Sequence, residues 1–140
     1  MLSLRIVLDT NIIVSAVLKA DGLQRTVLLL SLTKPARLYV TSAILSEYRD
    51  VLSRAELHIR RGAQQQFHQL IQTRAHLVFP SRQLHIASDP DDDMFLECAD
   101  AAEADYLVTG NQRHFPKFWK KTKIITSREF ITIVAPHLAQ

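Results

Sequence analysis

Apolar residues along this chain follow two rhythms, short continuous runs and a helical stripe. Leu4 to Leu8 is nearly all apolar and rich in β-formers, which predicts a buried parallel strand. Asp9-Thr10-Asn11 ends it, and Ile12 to Lys19 follows as a short helix. Asp21-Gly22 is a turn. Leu23 to Thr33 is a second helix, its stripe carried by Leu23, Val27 and Leu30, and Pro35 stops it. Arg37 to Val40 is the second strand. Thr41-Ser42 is a hydroxyl pair suited to cap the next helix, Ala43 to Arg54, with Ile44, Leu45, Tyr48, Val51 and Leu52 facing inward. Gly62 breaks the pattern before a helix over Ala63 to Thr73. His76 to Phe79 is a third strand, and Pro80 ends it.

The second half continues the alternation. Asp89 suits an N-cap and Pro90 a first helical position, so a helix opens there and runs to about Glu103. Asp105 to Thr109 is a fourth strand, ended by Gly110, and Lys123 to Thr126 is a fifth. Ser127, with Glu129 nearby, starts a terminal helix through Phe130, Ile133 and Val134. Strand and helix alternate throughout. The expected fold class is therefore α/β, a three-layer α/β/α sandwich with a central parallel sheet of about five strands. No repeat or linker divides the chain, so residues 1–140 read as a single domain. Arg54 to Gly62 is the expected flexible stretch.

Composition narrows the class further. Of 140 residues, 47% are hydrophobic and 22% charged, which excludes collagen-like and disordered chains. No apolar run approaches the roughly 18 residues of a membrane helix. The opening Met1-Leu2-Ser3-Leu4-Arg5 has no basic region, long apolar stretch or cleavage site, so no membrane role and a cytoplasmic location are expected. The one cysteine, Cys98, sits among Leu96, Ala99 and Ala102 and reads as a small buried hydrophobe. Net charge is +3, unevenly spread. Eight of the fourteen acids lie between Asp89 and Asp105, with no Lys or Arg between them. A basic body around an acidic focus suits a polyanionic partner and a cation held between them; solvated faces are the plainer explanation.

In open α/β sheets, sites form at the carboxyl ends of the strands. Asp9 and Asn11 follow the first strand and Asn111 follows the fourth. Asp91, Asp92 and Asp93 begin the helix before the fourth strand, and Glu47 lies in the first turns of the helix after the second. These residues can converge although distant in sequence. Crowded carboxylates stay ionised together when a hard cation neutralises them, and Mg²⁺ and Mn²⁺ prefer such oxygen ligands. Phosphodiester hydrolysis is the natural chemistry of that arrangement. Successive helical residues turn by about 100°, so Asp91 to Asp93 cannot all face one pocket, and an acidic first turn also stabilises its helix. Glu97 and Asp100 continue the stripe as a solvated face. Ser42, Ser46 and Thr109 are hydroxyls near the site with ordinary capping roles. The six histidines form no close pair, and three glycines exclude a glycine-rich phosphate loop. Lys117, Trp119, Lys120 and Lys121 fall in a stretch, from His114, that can stack on single-stranded bases or fold as a packed loop.

These residues together resemble the PIN-domain family. The likeness rests on Val7-Leu8-Asp9-Thr10-Asn11-Ile12-Ile13-Val14-Ser15 and Ser42-Ala43-Ile44-Leu45-Ser46-Glu47-Tyr48. It continues through Asp89-Pro90-Asp91-Asp92-Asp93-Met94-Phe95-Leu96 and Ala104-Asp105-Tyr106-Leu107-Val108-Thr109-Gly110-Asn111. The nearest likeness is to bacterial PIN proteins described as toxins of toxin–antitoxin pairs. The resemblance implies a Mg²⁺- or Mn²⁺-dependent endoribonuclease. It matches Asp9, Glu47 and Asp93 to the family's catalytic and metal-holding acids, with Asp92 the fallback for the third. Asn111 stands at a fourth position that is often Asp, and its amide adds no charge. Thr10, Asn11 and Thr109 match supporting positions. A small antitoxin partner and a homodimer are also implied.

Three other readings compete. A haloacid-dehalogenase-type phosphatase needs a second Asp where this chain has Asn11. A receiver domain needs a phosphoacceptor Asp after the third strand, which here ends at Phe79-Pro80. A catalytically weak or inactive PIN-like module that binds RNA or a protein partner needs neither.

Overall fold

The computed structural model describes residues 3–136; Met1, Leu2 and residues 137–140 of the expected 1–140 domain lie outside the described residues. Strand β1 (Leu4–Leu8) is the centre. Ile6, Val7 and Leu8 are fully buried, so both faces of the sheet are covered, as the unbroken apolar run requires. Helices α1 (Thr10–Leu18) and α2 (Leu23–Ser31) lead to β2 (Ala36–Val40), and α3 (Ser42–Leu52) and α4 (Arg61–Arg74) lead to β3 (His76–Leu77). Helix α5 (Asp93–Ala102) leads to β4 (Tyr106–Val108). Strands β5 (Phe118–Trp119) and β6 (Thr122–Ile125) precede α6 (Ser127–Val134).

The sheet order is β3-β2-β1-β4-β6-β5. All neighbours are parallel except β5 and β6. Helices α1, α2 and α6 pack together, while α5 lies against β1, β2 and β4; this gives the expected α/β/α layering. Helix α3 touches both α1 and α5, which puts it across the carboxyl edge of the sheet. Buried apolar side chains from every layer form a continuous cluster. No described helix is long and apolar enough to cross a membrane.

The structure departs from the expected elements in four places. The sheet has six strands, because Phe118–Trp119 turns back on β6 through Lys120, whose φ of 52° is left-handed. Strand β3 is two residues long, pairing only with Tyr39 and Val40. Gly62 does not break α4 but sits in its first turn, exposed, where its missing side chain costs little. The acidic run begins as a 3₁₀ turn (Pro90–Asp92), capped by the Asp89 carboxylate accepting from the Asp91 N–H, and only then becomes α-helix. Smaller shifts are local. Helix α6 starts at Ser127 as expected, and Thr126 caps it in a capping box with Glu129. Arg54 to Gly62, expected to be flexible, holds a 3₁₀ turn at Ala55–Leu57.

Cys98 is fully buried on α5, and burial pushes its thiol up to about 12. At pH 8 only about one thiol in ten thousand is ionised. Iodoacetamide at pH 8 is therefore expected to leave Cys98 unmodified in the native protein and to alkylate it in urea, read by intact mass. Rapid labelling without denaturant contradicts this packing.

Candidate metal centre at the sheet switch point

From β1 the chain steps to β2 and β3 on one side, then returns through α5 to β4 on the other. A crevice opens where the direction reverses, beyond the carboxyl ends of β1 and β4. Asp9 is the first residue past β1 and Thr109 the first past β4. The register Leu8↔Val108 makes them neighbours. The Asp9 N–H donates to the Val108 carbonyl at 3.0 Å. The Thr109 hydroxyl donates to Asp9 Oδ2 at 2.7 Å, and the Thr10 N–H donates to Asp9 Oδ1 at 2.7 Å. Asp9 is 5% exposed. Burial raises its carboxyl above the usual range, while the bonds from Thr109 and Thr10 and the nearby His114 pull it down.

Glu47 reaches the same place from α3. Thr41 caps that helix by accepting from the Ile44 N–H at 3.1 Å. The hydroxyl of buried Tyr48 donates to the Leu8 carbonyl, which pins α3 over the end of β1. Its neighbour Glu47 then faces the crevice, where Glu47 Oε2 accepts from the Thr10 hydroxyl at 3.3 Å. On the β4 side, Thr109 also accepts from the Asn111 N–H at 2.9 Å, and Asn11 Oδ1 accepts from the Gly110 N–H at 3.2 Å.

The two acids considered for the third position are placed differently. Asp93 is buried, and its Oδ1 accepts from the N–H groups of Ile86 at 2.9 Å and Ala87 at 2.7 Å. It anchors the loop before α5 and does not line the crevice. Asp92 does. Burial raises its carboxyl, and the charges of Asp9 and Asp89 raise it further; His114, with Nδ1 3.2 Å from Asp92 Oδ2, acts against them.

The crevice is an open cleft of about 450 Å³. Asp9, Thr10, Asn11, Glu47, Asp92 and Asn111 meet there, joined by Glu56, Asp89, Arg54 and His114, which the sequence pattern did not assign to the site. His114 arrives through a 3₁₀ turn (Gln112–His114), whose only sequence signal is its nearness to Gly110. Ser42 is exposed at the start of α3 and does not line the cleft. Nor do Lys117, Trp119, Lys120 and Lys121. Lys120 pairs with Asp100 at 2.8 Å and Lys121 with Asp105 at 3.6 Å, so both lysines answer acids outside the cleft.

Among the described residues, no three His, Cys, Asp or Glu side chains are already drawn together as a ligand set. The donor chemistry nevertheless fits a hard divalent cation. Asp9, Glu47 and Asp92 offer carboxylate oxygens, and Asn111 an amide oxygen, around one cleft. The mutual repulsion of Asp9 and Asp92 is what such a charge relieves. Mg²⁺ keeps several waters and takes one or two carboxylates directly, so its site does not require converged side chains.

A family profile described as PIN domain matches residues 5–113. Among solved structures, the chain resembles the crystal structure of VapBC2 from Rickettsia felis bound to a DNA fragment from their promoter. The TM-score is 0.59 at 19% identity, over 88% of this chain and 98% of that one, a likeness of fold. No curated protein matches the chain.

The two adjacent acids are expected to separate cleanly. Asp93→Ala leaves the N–H groups of Ile86 and Ala87 without their acceptor and should cost about 1.5–3 kcal/mol in urea unfolding, the usual size for bonds to a charged acceptor. Asp92→Ala removes a crowded charge and an exposed pair with His114, and should change stability by less than about 1 kcal/mol. Equal losses would contradict the two placements.

Proposed function

Because the chain belongs to the PIN-domain family, whose members are generally nucleases, we propose that it is a Mg²⁺- or Mn²⁺-dependent endoribonuclease, the toxin component of a toxin–antitoxin pair. The observation that carries the reading is the desolvated Asp9 at the switch point, sharing one cleft with Glu47 and Asp92. Asp9, Glu47 and Asp92 would hold the ion, directly or through water, with Asn111 contributing a neutral oxygen. A divalent ion there supplies charge to polarise a phosphoryl oxygen and to lower the pKa of an attacking water.

The protein's own groups do the rest. Thr10 and Thr109 fix both oxygens of Asp9, so the carboxylate presents one orientation. Thr10 also reaches Glu47, which ties the two acids into one unit. Arg54 on the cleft wall can pair with a non-bridging phosphate oxygen. His114, beside Asp92 on the cleft wall, can hydrogen-bond a phosphate oxygen. Asn111 in place of a fourth carboxylate favours one ion over two.

The kinship of fold with VapBC2 supports a small antitoxin protein as partner, and the mild basic charge supports RNA as substrate. A homodimer and a cytoplasmic location complete the proposal. The second reading, a catalytically weak or inactive RNA- or partner-binding module, draws on the same Asn111 and on the unconverged acids.

Cleavage of labelled single-stranded RNA with Mn²⁺ is expected, and EDTA should abolish it. Asp9→Asn, Glu47→Gln and Asp92→Asn should each reduce the rate more than about 100-fold, beyond the roughly 10–100-fold typical of groups that only support a ligand. RNA bound without cleavage, and no heat of Mn²⁺ binding by calorimetry, would establish the binding module instead.

A further inference from the structure

A polyanion meets a difficulty at this cleft. Its walls carry Asp9, Glu47, Glu56, Asp89 and Asp92 against a single arginine, Arg54. A bound divalent ion offsets only part of that charge, so a longer strand must be held by cations elsewhere. The lysines at 120 and 121 are occupied by Asp100 and Asp105.

Helix α4 is different. Its sequence from Arg61 to Arg74 contains no carboxylate, and of its 14 residues only Ile71 is buried. Five glutamines accompany Arg61, His68 and Arg74. A basic cavity opens at each end. One, of about 350 Å³, lies between α3 and α4, with Arg49, Arg61 and His68 on its walls and Asp50 as its one carboxylate. The His68 Nδ1 atom is buried there without a partner. The other, of about 460 Å³, takes Lys34, Arg37, Arg74 and His76 and no carboxylate. It exists because β3 pairs only with Tyr39 and Val40, leaving the first three residues of β2 without a strand on that side. Among the described residues, none of these lysines and arginines is paired with a carboxylate.

We propose that α4 and its two flanking cavities form a track for the phosphodiester backbone of single-stranded RNA leaving the cleft. The inference rests on RNA as the substrate class. The track joins the cleft through the end of α3, where Val51 and Arg54 line the cleft while Leu52 and Ser53 line the first cavity. From there α4 extends about 21 Å at 1.5 Å per residue. Arginine forks match phosphate oxygens, and glutamine side chains both donate and accept. No large exposed apolar side chain lies on α4. Protein interfaces carry an apolar core, whereas nucleic-acid interfaces are polar and positive, so RNA is favoured over an acidic protein.

The test is fluorescence anisotropy of a labelled 20-nucleotide oligouridine in EDTA, with Asp9→Asn as the parent so that binding is read without cleavage. Adding Arg37→Gln, Arg61→Gln and Arg74→Gln together should weaken binding at least about tenfold and flatten the slope of log K against log salt by about 2, near 0.7 per lost phosphate contact. Gln65→Lys should tighten binding and steepen the slope, a gain that misfolding cannot produce. Lys121→Gln should change neither. No binding by the parent, parental affinity in the triple variant, or an oligoglutamate peptide competing as well as RNA would each overturn the track. Track-dependent binding without metal-dependent cleavage by the unsubstituted protein removes the nuclease reading alone; cleavage with track-independent binding removes this one alone.

Discussion

A buried carboxylate at the end of a central strand is the constraint on which this molecule turns. Asp9 is taken out of water by the same packing that buries Ile6, Val7 and Leu8. An ionised carboxylate is tolerated there only if hydrogen bonds replace its lost water. Thr10 and Thr109 supply them, from the chain on either side of the switch point. Those bonds also fasten β1 to β4 and start α1, since Asp9 is the residue that caps it. The group proposed to hold the ion therefore also sets the local fold. A substitution at Asp9 or Thr109 cannot be read as purely catalytic without a stability measurement beside it.

Around Asp9 the fold makes a choice between adjacent acids. Asp93 is spent on two backbone N–H groups, while Asp92 is left crowded against Asp9 and Asp89. A buried acid with satisfied bonds is structural; a desolvated acid facing like charge is the usual mark of a functional site. Placing Asp93 in the loop anchor fixes the turn that aims Asp92 into the cleft. On the proposed reading, Asp93 positions the turn and Asp92 faces the ion.

The parts of this arrangement that were legible in the sequence are those set by local rules. The apolar run before Asp9 announced a covered parallel strand, and the hydroxyl at Thr41 announced the start of α3, from which Glu47 follows by counting. Which of Asp92 and Asp93 lines the cleft is not legible from spacing, because a 3₁₀ turn precedes α5. Its 3.0 residues per turn shift the phase that 3.6 would give, and nothing in Asp89-Pro90-Asp91-Asp92-Asp93 marks where one becomes the other. That His114 would reach the cleft is not legible for the same reason, since another such turn carries it there. The two readings of the basic stretch to Lys121 stay open in the sequence because the partners of Lys120 and Lys121, Asp100 and Asp105, lie well upstream and meet them only once β5 turns back on β6. The two-residue β3 leaves no trace in composition, yet it opens the notch beside Arg37 and Arg74.

An acidic cleft repels a polyanion, so the proposed RNA substrate would need both the proposed ion and the fixed cations of α4. A divalent ion lowers the negative potential that the phosphate meets, and a bound phosphate in turn adds oxygen donors to an ion that the side chains alone do not enclose. By thermodynamic linkage each then raises the affinity of the other by the same factor. Fixed cations on α4 act differently. They lie away from Asp9 and Asp92, so on the proposed reading they attract the strand without neutralising the carboxylates proposed to hold the ion. Had those arginines been placed in the cleft, they would have paired with the acids and weakened the site for metal. On the proposed reading, keeping attraction on α4 and the ion in the cleft preserves both, and it fits a chain whose net charge is positive although this cleft is lined mainly by acids.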